Sequence, residues 1–276
     1  METKAVIEIL QVLLPLLYGG LVIVYALCFF GNVPVLDRVR TPLMWITLGL
    51  HILYLGARTT AFDHPPITSV FEIMTILAMC IAVAYLYLEV KTKTRNTGFF
   101  ILLLAFVFQT VSSIFIKDLL TIPEYLHSLV LGFHVSAALL GYTAISLSAA
   151  YGFLYLMLYH EIKSSRLGVI YTRLPNLEAL ETMSHKAEVF GFLMLSIAIG
   201  IGLFWLPRVF EKFSYWDPKL VGSVFIWVLY AAGLAAKRTL GWQGRKTMII
   251  SIVAFGFVFL SMTVINLYLS GFHSFH

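Results

Sequence analysis

Charged residues are scarce in this chain. Asp, Glu, Lys and Arg make up 12% of its 276 residues, whereas a soluble domain has about 25%. Hydrophobic residues make up 60%, and the mean hydropathy is +0.90. This composition excludes a water-soluble enzyme, a disordered tail and a nucleic-acid-binding protein, even though the formal net charge is +5.

Cysteine is also scarce, since Cys28 and Cys80 are the two that the sequence contains. They form no C-x-x-C pair, which excludes a thioredoxin-like thiol relay and a zinc knuckle. No C-x-x-C-H motif occurs, so the chain cannot attach a c-type haem to itself covalently. The acidic residues of the loops are scattered and show no spacing typical of a nucleophile with its base, and we therefore predict no catalytic residues.

Long apolar runs dominate the sequence instead. A membrane-spanning helix needs roughly 20 apolar residues, and eight runs approach or exceed that length: 9–30, 42–58, 68–90, 98–116, 127–159, 187–206, 220–236 and 247–269. The first run is too long for the apolar region of a cleaved signal peptide, so we expect it to be a membrane span. The sequence predicts an all-α, polytopic membrane bundle of about eight helices, forming one domain over residues 1–276.

Lys and Arg are distributed unequally between the two predicted faces. Thirteen of the nineteen lie in loops 1–2, 3–4, 5–6 and 7–8, and six lie on the opposite face. Because positive residues stay cytoplasmic, we predict that both termini face outward. Five of the eight histidines then fall on the outer face: His64, His127, His134, His273 and His276.

The outer loop between the sixth and seventh spans, residues 205–219, combines aromatic rings with the cations Arg208, Lys212 and Lys219. One interpretation is an interfacial aromatic belt with ordinary flanking charges. Another is a platform for a flat, hydrophobic, anionic ligand, on which rings stack while cations meet carboxylates. Haem fits that description, because two neutral imidazoles from different helices suit its iron as axial ligands.

Several segments resemble the CcsA-type cytochrome c assembly family, which handles haem in membranes and includes a HemX-like branch. Arg58 followed by residues 64–72 resembles the family's R…H-x-P-[LI]-[ST]-x-[LV]-[YF]-E segment, and residues 134–142 resemble its H-V-S-x₄-[GS]-Y helix. The other matching positions are Gly191-Phe192 through Gly202 and Trp205, the W-D-P-K run at 216–219, Trp227, and residues 266–267 and 271–275.

The resemblance implies that His134 and His273 are the axial ligands of a transiently held haem b at the outer, periplasmic surface. The other residues that it places at this site are Trp205, Trp216, Asp217, His64, Arg208 and Lys219. It implies a bacterial inner membrane or thylakoid-type membrane, with lipid around the chain. Further expected partners are apocytochrome c and a CcsB/ResB-like membrane subunit, together with which the chain would form part of a cytochrome c haem lyase complex.

The loop departs from the family pattern, approximately W-G-x-x-W-x-W-D. Phe210, Glu211 and Ser214 stand where Trp, Gly and Trp are expected, and Leu220 replaces an acid that often follows W-D-P-K. These changes remove stacking surface. They support a second hypothesis, in which a HemX-like protein regulates haem biosynthesis without delivering haem.

Simpler structural roles compete with haem chemistry at other polar positions. His64 precedes two prolines and is expected to have a structural role in a turn. His51, at mid-membrane depth, is expected to bond a neighbouring helix, with transient haem ligation as the alternative. Arg58 and Glu72 are expected to form an ion pair rather than to contact haem propionates. A b-type electron-transfer subunit would need paired histidines at that depth, and the sequence offers His51 alone.

Overall fold

The apolar runs fold as long helices in the computed structural model, which describes residues 2–31, 33–118, 128–165, 167–209 and 214–262. Helices account for the regular structure in these ranges, which contain no strand, and the predicted all-α class is confirmed. The helices are α1 (Glu2–Ala26), α2 (Pro34–Phe62), α3 (Val70–Thr92), α4 (Gly98–Phe115), α5 (Leu129–Lys163), α6 (Val169–Arg173), α7 (Leu177–Val209), α8 (Pro218–Thr239) and α9 (Arg245–Leu260). A π-helical turn, Leu27–Gly31, extends α1.

Six of these helices are long and apolar enough to cross a membrane: α1, α3, α4, α5, α7 and α8. The predicted second span lies in α2, which buries Arg40, His51 and Arg58 and falls short of the same hydropathy. The predicted eighth span begins in α9 and runs into residues outside the described ranges. The chain is an integral membrane protein, while the count of eight spans and the outward termini stay predictions.

The helices group into two compact units, α1–α4 and α5–α9, and each is described by itself. In the first unit, Leu10 and Leu14 of α1 pack with Tyr54 and Phe62 of α2. Ser69 caps α3, because its hydroxyl oxygen accepts a hydrogen bond from the Glu72 amide at 3.2 Å. These contacts hold the last turns of α2 and the first turn of α3, and both segments carry polar residues.

A continuous chain of hydrogen bonds crosses the middle of this first unit. Thr75 donates its hydroxyl hydrogen to Gln109 Oε1 at 2.7 Å, so it accepts from His51 Nε2 at 3.0 Å. Nδ1 of His51 therefore accepts from the Tyr18 hydroxyl at 3.0 Å. Gln109 Nε2 in turn donates to Ser113 Oγ at 3.0 Å. These hydrogen bonds connect α1, α2, α3 and α4, and in each of them the donor precedes the acceptor in the order from Tyr18 to Ser113.

Small residues bring the helices of the second unit close together. A Cβ atom on Gly191 of α7 would lie 2.7 Å from Ile145 Cγ1 and 3.1 Å from the Gly141 carbonyl oxygen of α5. Ser148 of α5 bonds both Ser184 of α7 and Ser251 of α9, at 3.0 and 2.9 Å. Glycine contacts and short hydroxyl pairs of this kind are typical of helix packing in membranes.

Candidate functional site

His134 lies near the beginning of α5 and is half-buried against α7. Its Nδ1 is 2.8 Å from the carbonyl oxygen of Ala198. Because a carbonyl oxygen accepts, Nδ1 carries the hydrogen, and the neutral ring has its lone pair on Nε2. Metal-ligating histidines are oriented in this way, by a hydrogen bond from the nitrogen that does not bind the metal.

The position of this ring depends on Gly202, one turn after Ala198 on α7. A Cβ atom at Gly202 would lie 3.2 Å from Cε1 of His134 and 3.4 Å from Nδ1. Gly141 makes a similar close approach further along α5, where a Cβ atom would lie 2.9 Å from Leu195 Cδ2. The glycines at 141, 191 and 202, which the sequence analysis matched to a family pattern, therefore have a packing role in setting α5 against α7.

Trp205 and Arg208 extend this face of α7 towards the end of the helix. Trp205 follows Ala198 by seven residues and Gly202 by three, a spacing that places all three on one side of an α-helix. Trp205 is half-buried and Arg208 is exposed. This face of α7 thus carries the Trp205 ring and, at the end of the helix, the accessible Arg208 cation.

Residues 214–217 form a turn that begins α8. The Ser214 carbonyl oxygen accepts from the Asp217 amide at 3.2 Å, and its hydroxyl oxygen accepts from the Trp216 amide at 3.2 Å. The Asp217 carbonyl oxygen accepts from the Val221 amide at 3.0 Å, so Asp217 stands at the N-cap and Pro218 at the first helical position. The indole of Trp216 is 86% exposed. The W-D-P part of the motif therefore builds a helix start that projects an indole.

Trp227, another family-matched position, joins α8 to α7. Its ring stacks on Phe192 with a centroid distance of 5.3 Å, and its Nε1 donates to Ser196 Oγ at 2.7 Å. This contact sets α8 against the helix that carries Ala198 and Gly202. Trp227 therefore holds α8 against α7.

Some predicted site residues lie outside what the structure describes. His273 and the rest of 263–276 lie outside the described ranges, as do His127 and residues 210–213, including Lys212. Lys219 belongs to α8, and its side chain is not among the described parts of the structure. The pairing of His134 with His273 therefore stays a prediction.

The first unit holds a second group of predicted residues, centred on Arg58. Arg58 Nη2 lies 3.0 Å from Glu72 Oε1, both side chains are 1% exposed, and Arg58 Nη1 lies 3.0 Å from Asp118 Oδ1. The other Glu72 oxygen accepts from the Thr68 hydroxyl at 2.7 Å and the Thr68 amide at 2.9 Å. The predicted ion pair is confirmed, and Thr68 completes the hydrogen bonding of the Glu72 carboxylate.

The two histidines of the first unit, His51 and His64, have structural contacts. His64 is buried, and its Nδ1 donates to the carbonyl oxygen of Pro65 at 3.0 Å in the turn before α3. Both ring nitrogens of His51 are engaged, by Tyr18 and Thr75, which confirms the expectation that it bonds neighbouring helices.

A buried carboxylate in α3 was missed by the sequence analysis. Glu89 is 2% exposed and accepts from the Tyr25 hydroxyl and the Thr41 hydroxyl, each at 2.6 Å, while Arg95 Nε lies 3.6 Å away. An acidic residue near the end of an apolar run, followed at once by Lys91, Lys93 and Arg95, is the sequence pattern that could have indicated it. Its cluster lies at the opposite end of the first unit from Arg58.

Comparison with known proteins agrees with the motifs. The family model described as "Cytochrome C assembly protein" matches residues 67–273, more than half of the chain. Proteins named cytochrome c biogenesis protein CcsA are similar to this chain: that of Thermosynechococcus vestitus is 37% identical over 103 residues, which is 37% of this chain and 32% of the relative. The proteins of Prochlorococcus marinus and Synechococcus elongatus are 33% and 35% identical over 100 and 98 residues, each covering 36% of this chain and 32% and 30% of the relative. The match thus spans about a third of the length of these relatives. By its family match, the chain belongs to the cytochrome c assembly protein family.

Proposed function

We propose that this protein serves c-type cytochrome biogenesis by holding haem b at the outer face of the membrane, with His134 and His273 as axial ligands. The observation that carries the proposal is the 2.8 Å hydrogen bond from His134 Nδ1 to the Ala198 carbonyl oxygen. It fixes the tautomer in which Nε2 bears the lone pair that iron requires. Haem is cargo here, bound transiently rather than kept as a resident cofactor.

The surroundings of His134 support a haem rather than a bare metal ion. Trp205 lies on the same face of α7, and Trp216 exposes nearly all of its indole, so aromatic surface is available for a flat macrocycle. Arg208 is exposed at the end of α7 and is suited to a propionate carboxylate. We assign Lys219 the same role and Asp217 the role of positioning Trp216. His64 lines the turn before α3 and supports the outer end of the first unit.

The proposal extends to partners. Relatives named for cytochrome c biogenesis support apocytochrome c as the recipient of haem. We further propose a CcsB/ResB-like membrane subunit, with which the chain would form a haem lyase complex.

Haem content of the purified protein tests the ligand assignment. We expect the His134→Ala and His273→Ala variants to retain about tenfold less haem than the wild type, because each loses an axial ligand. Haem is measured as the pyridine haemochrome per mole of protein, in protein purified from cells supplied with a haem precursor. His160→Ala removes an exposed histidine from the other end of α5 and should retain wild-type haem.

Added imidazole separates a lost ligand from a damaged fold. It should restore the low-spin absorbance spectrum of His134→Gly, because free imidazole can occupy the vacated position on the iron. Unchanged haem content in both alanine variants would refute the ligand assignment.

A HemX-like regulatory role is the second candidate, and Ser214 favours it. Where the family pattern has a tryptophan, Ser214 contributes a hydroxyl and a carbonyl to the turn before α8 and no stacking surface. Deletion of the gene distinguishes the two functions. Delivery predicts loss of covalently bound haem in c-type cytochromes, measured by haem staining, whereas regulation predicts normal c-type cytochromes with an altered level of haem-synthesis enzymes.

A further inference from the structure

A polar cavity of about 720 Å³ lies in the first unit, where α2 begins and α3 ends. Three cations line it, Arg40, Lys93 and Arg95, together with the acids Asp37 and Glu89. These cations belong to the face that carries most of the Lys and Arg residues and is predicted to be cytoplasmic. The cavity shares no residue with the proposed haem site, and the distribution of Lys and Arg predicts that the two lie on opposite sides of the membrane.

The two acids of the cavity leave positive charge available. Glu89 is held by two hydroxyl donors, Tyr25 and Thr41, at 2.6 Å each. Asp37 pairs with Arg40 at 2.6 Å and with Arg95 at 3.6 Å. Among the described residues, no carboxylate lies within 4.0 Å of the Lys93 amine. Arg95 also lies 3.6 Å from Glu89, so three cations face two acids and the Lys93 amine is the positive charge left over.

Arg40 has unused hydrogen-bonding capacity, although it is 94% buried. Its Nη2 binds Asp37, while its Nε finds no hydrogen-bond partner in the described part of the chain. Its guanidinium lies 5.4 Å above the Tyr25 ring, which holds the side chain in place. A buried donor without a partner is costly, and an anion in the cavity would relieve that cost.

Apolar side chains border the cavity on the outside. Val90 is 60% exposed and lines the cavity, while Val35 and Val39, which flank the lining residue Asp37 in the first turns of α2, are 71% and 46% exposed. Lys91 donates to the Tyr87 hydroxyl at 3.1 Å on the exposed side of α3, a pairing typical of the membrane–water interface. The cavity therefore suits an amphipathic ligand, whose anionic group would contact the cations and whose apolar part would contact the valines.

We propose that this cavity binds the phosphodiester head group of an anionic phospholipid, such as phosphatidylglycerol, from the cytoplasmic leaflet. Arg40, Lys93 and Arg95 contact the phosphate, and the valines lie along the acyl chains. Basic pockets between membrane helices bind anionic lipids in this way. Free phosphate shares the anionic chemistry, but it would make no use of the apolar border.

The test is lipid selectivity of the full-length protein in nanodiscs. Nanodiscs containing phosphatidylcholine and phosphatidylglycerol are compared by native mass spectrometry, which counts the lipids that stay bound. We expect enrichment of phosphatidylglycerol, reduced about fivefold in Lys93→Gln and in Arg40→Gln. Lys93 is exposed, so its variant keeps the test valid if Arg40→Gln fails to fold.

Lys91→Gln is the matched control, because it removes the same charge at the same end of α3 from a residue that does not line the cavity. Retained enrichment in this variant supports the proposal. Equal losses in Lys91→Gln and Lys93→Gln would overturn it, since they would indicate general surface attraction. Displacement of the lipid by excess inorganic phosphate, without any lipid preference, would also overturn it and assign the cavity to free phosphate.

Discussion

At the scale of single residues, the hydrogen bonds of each histidine indicate its role. His51 uses both ring nitrogens within a buried chain, so haem ligation there would break one of two hydrogen bonds. His134 is half-buried near the beginning of α5, and its Nδ1 donates to a backbone carbonyl oxygen. The same residue type therefore stabilises helix contacts in one unit and is suited to ligation in the other.

Glu72 provides a residue-scale prediction, because an ion pair and a haem contact have different consequences. We expect Glu72→Gln to lower the free energy of unfolding by about 3 kcal/mol, since it leaves Arg58 buried with one acidic partner fewer. Thermal unfolding in detergent measures the change. Bound haem per folded molecule should stay at the wild-type level.

Glu8→Gln serves as the control, because Glu8 is an exposed acid on α1. It should change neither stability nor haem content. A Glu72→Gln protein that unfolds like the wild type but binds less haem would contradict the structural role of Glu72.

At the scale of helices, the second unit depends on how closely α5 and α7 approach. The Gly191–Ile145 and Gly202–His134 contacts leave no room for a Cβ atom without movement of a neighbour. Their spacing along α7 brings the Ala198 carbonyl to the ring of His134. The packing of α5 on α7 and the orientation of the His134 ring are thus coupled through the same backbone.

Gly191→Ala tests this coupling. Its new Cβ atom would lie 2.7 Å from Ile145 Cγ1 and 3.2 Å from the Ile145 nitrogen, so α7 must move away from α5. We expect a loss of about 1–3 kcal/mol in the free energy of unfolding. We also expect weaker haem retention, because the Ala198 carbonyl moves with α7. Thermal unfolding and the haem-to-protein ratio measure the two effects.

Gly200→Ala is the control on the same helix, because a Cβ atom at Gly200 meets no atom within 4 Å. It should leave haem content unchanged and keep or slightly raise stability, since Ala favours a helix more than Gly does. Equal behaviour of the two variants would show that the α5–α7 approach does not set the site.

At the scale of the whole molecule, hydropathy predicted where helices lie better than where they end. The predicted sixth span began at residue 187, whereas α7 begins at Leu177, because a polar first part continues the helix without contributing apolar residues. The predicted second span began at residue 42, and α2 begins at Pro34 for the same reason. Apolar content identifies the part of a helix suited to lipid, not the whole helix.

The site was predictable where a motif fixes local structure, and it was not where distant residues meet. The sequence indicated His134 and the W-D-P run through the family pattern, whereas the structure shows that the run begins α8. It could not indicate that the Ala198 carbonyl orients His134, because any residue provides a carbonyl. Nor could it indicate that Glu89 is buried between Tyr25 and Thr41, since those residues come from three separate helices.

The directed hydrogen-bond chain from Tyr18 to Ser113 bears on how the first unit assembles. In lipid, apolar helix surfaces slide past one another at little cost, because every register offers similar contacts. Three of the four hydrogen bonds in this chain join one helix to the next, so a shift of α2 or α3 by one helical turn would leave unpaired groups at two links at once. These hydrogen bonds therefore favour one register of the helices over its neighbours, a selectivity that apolar packing alone provides poorly.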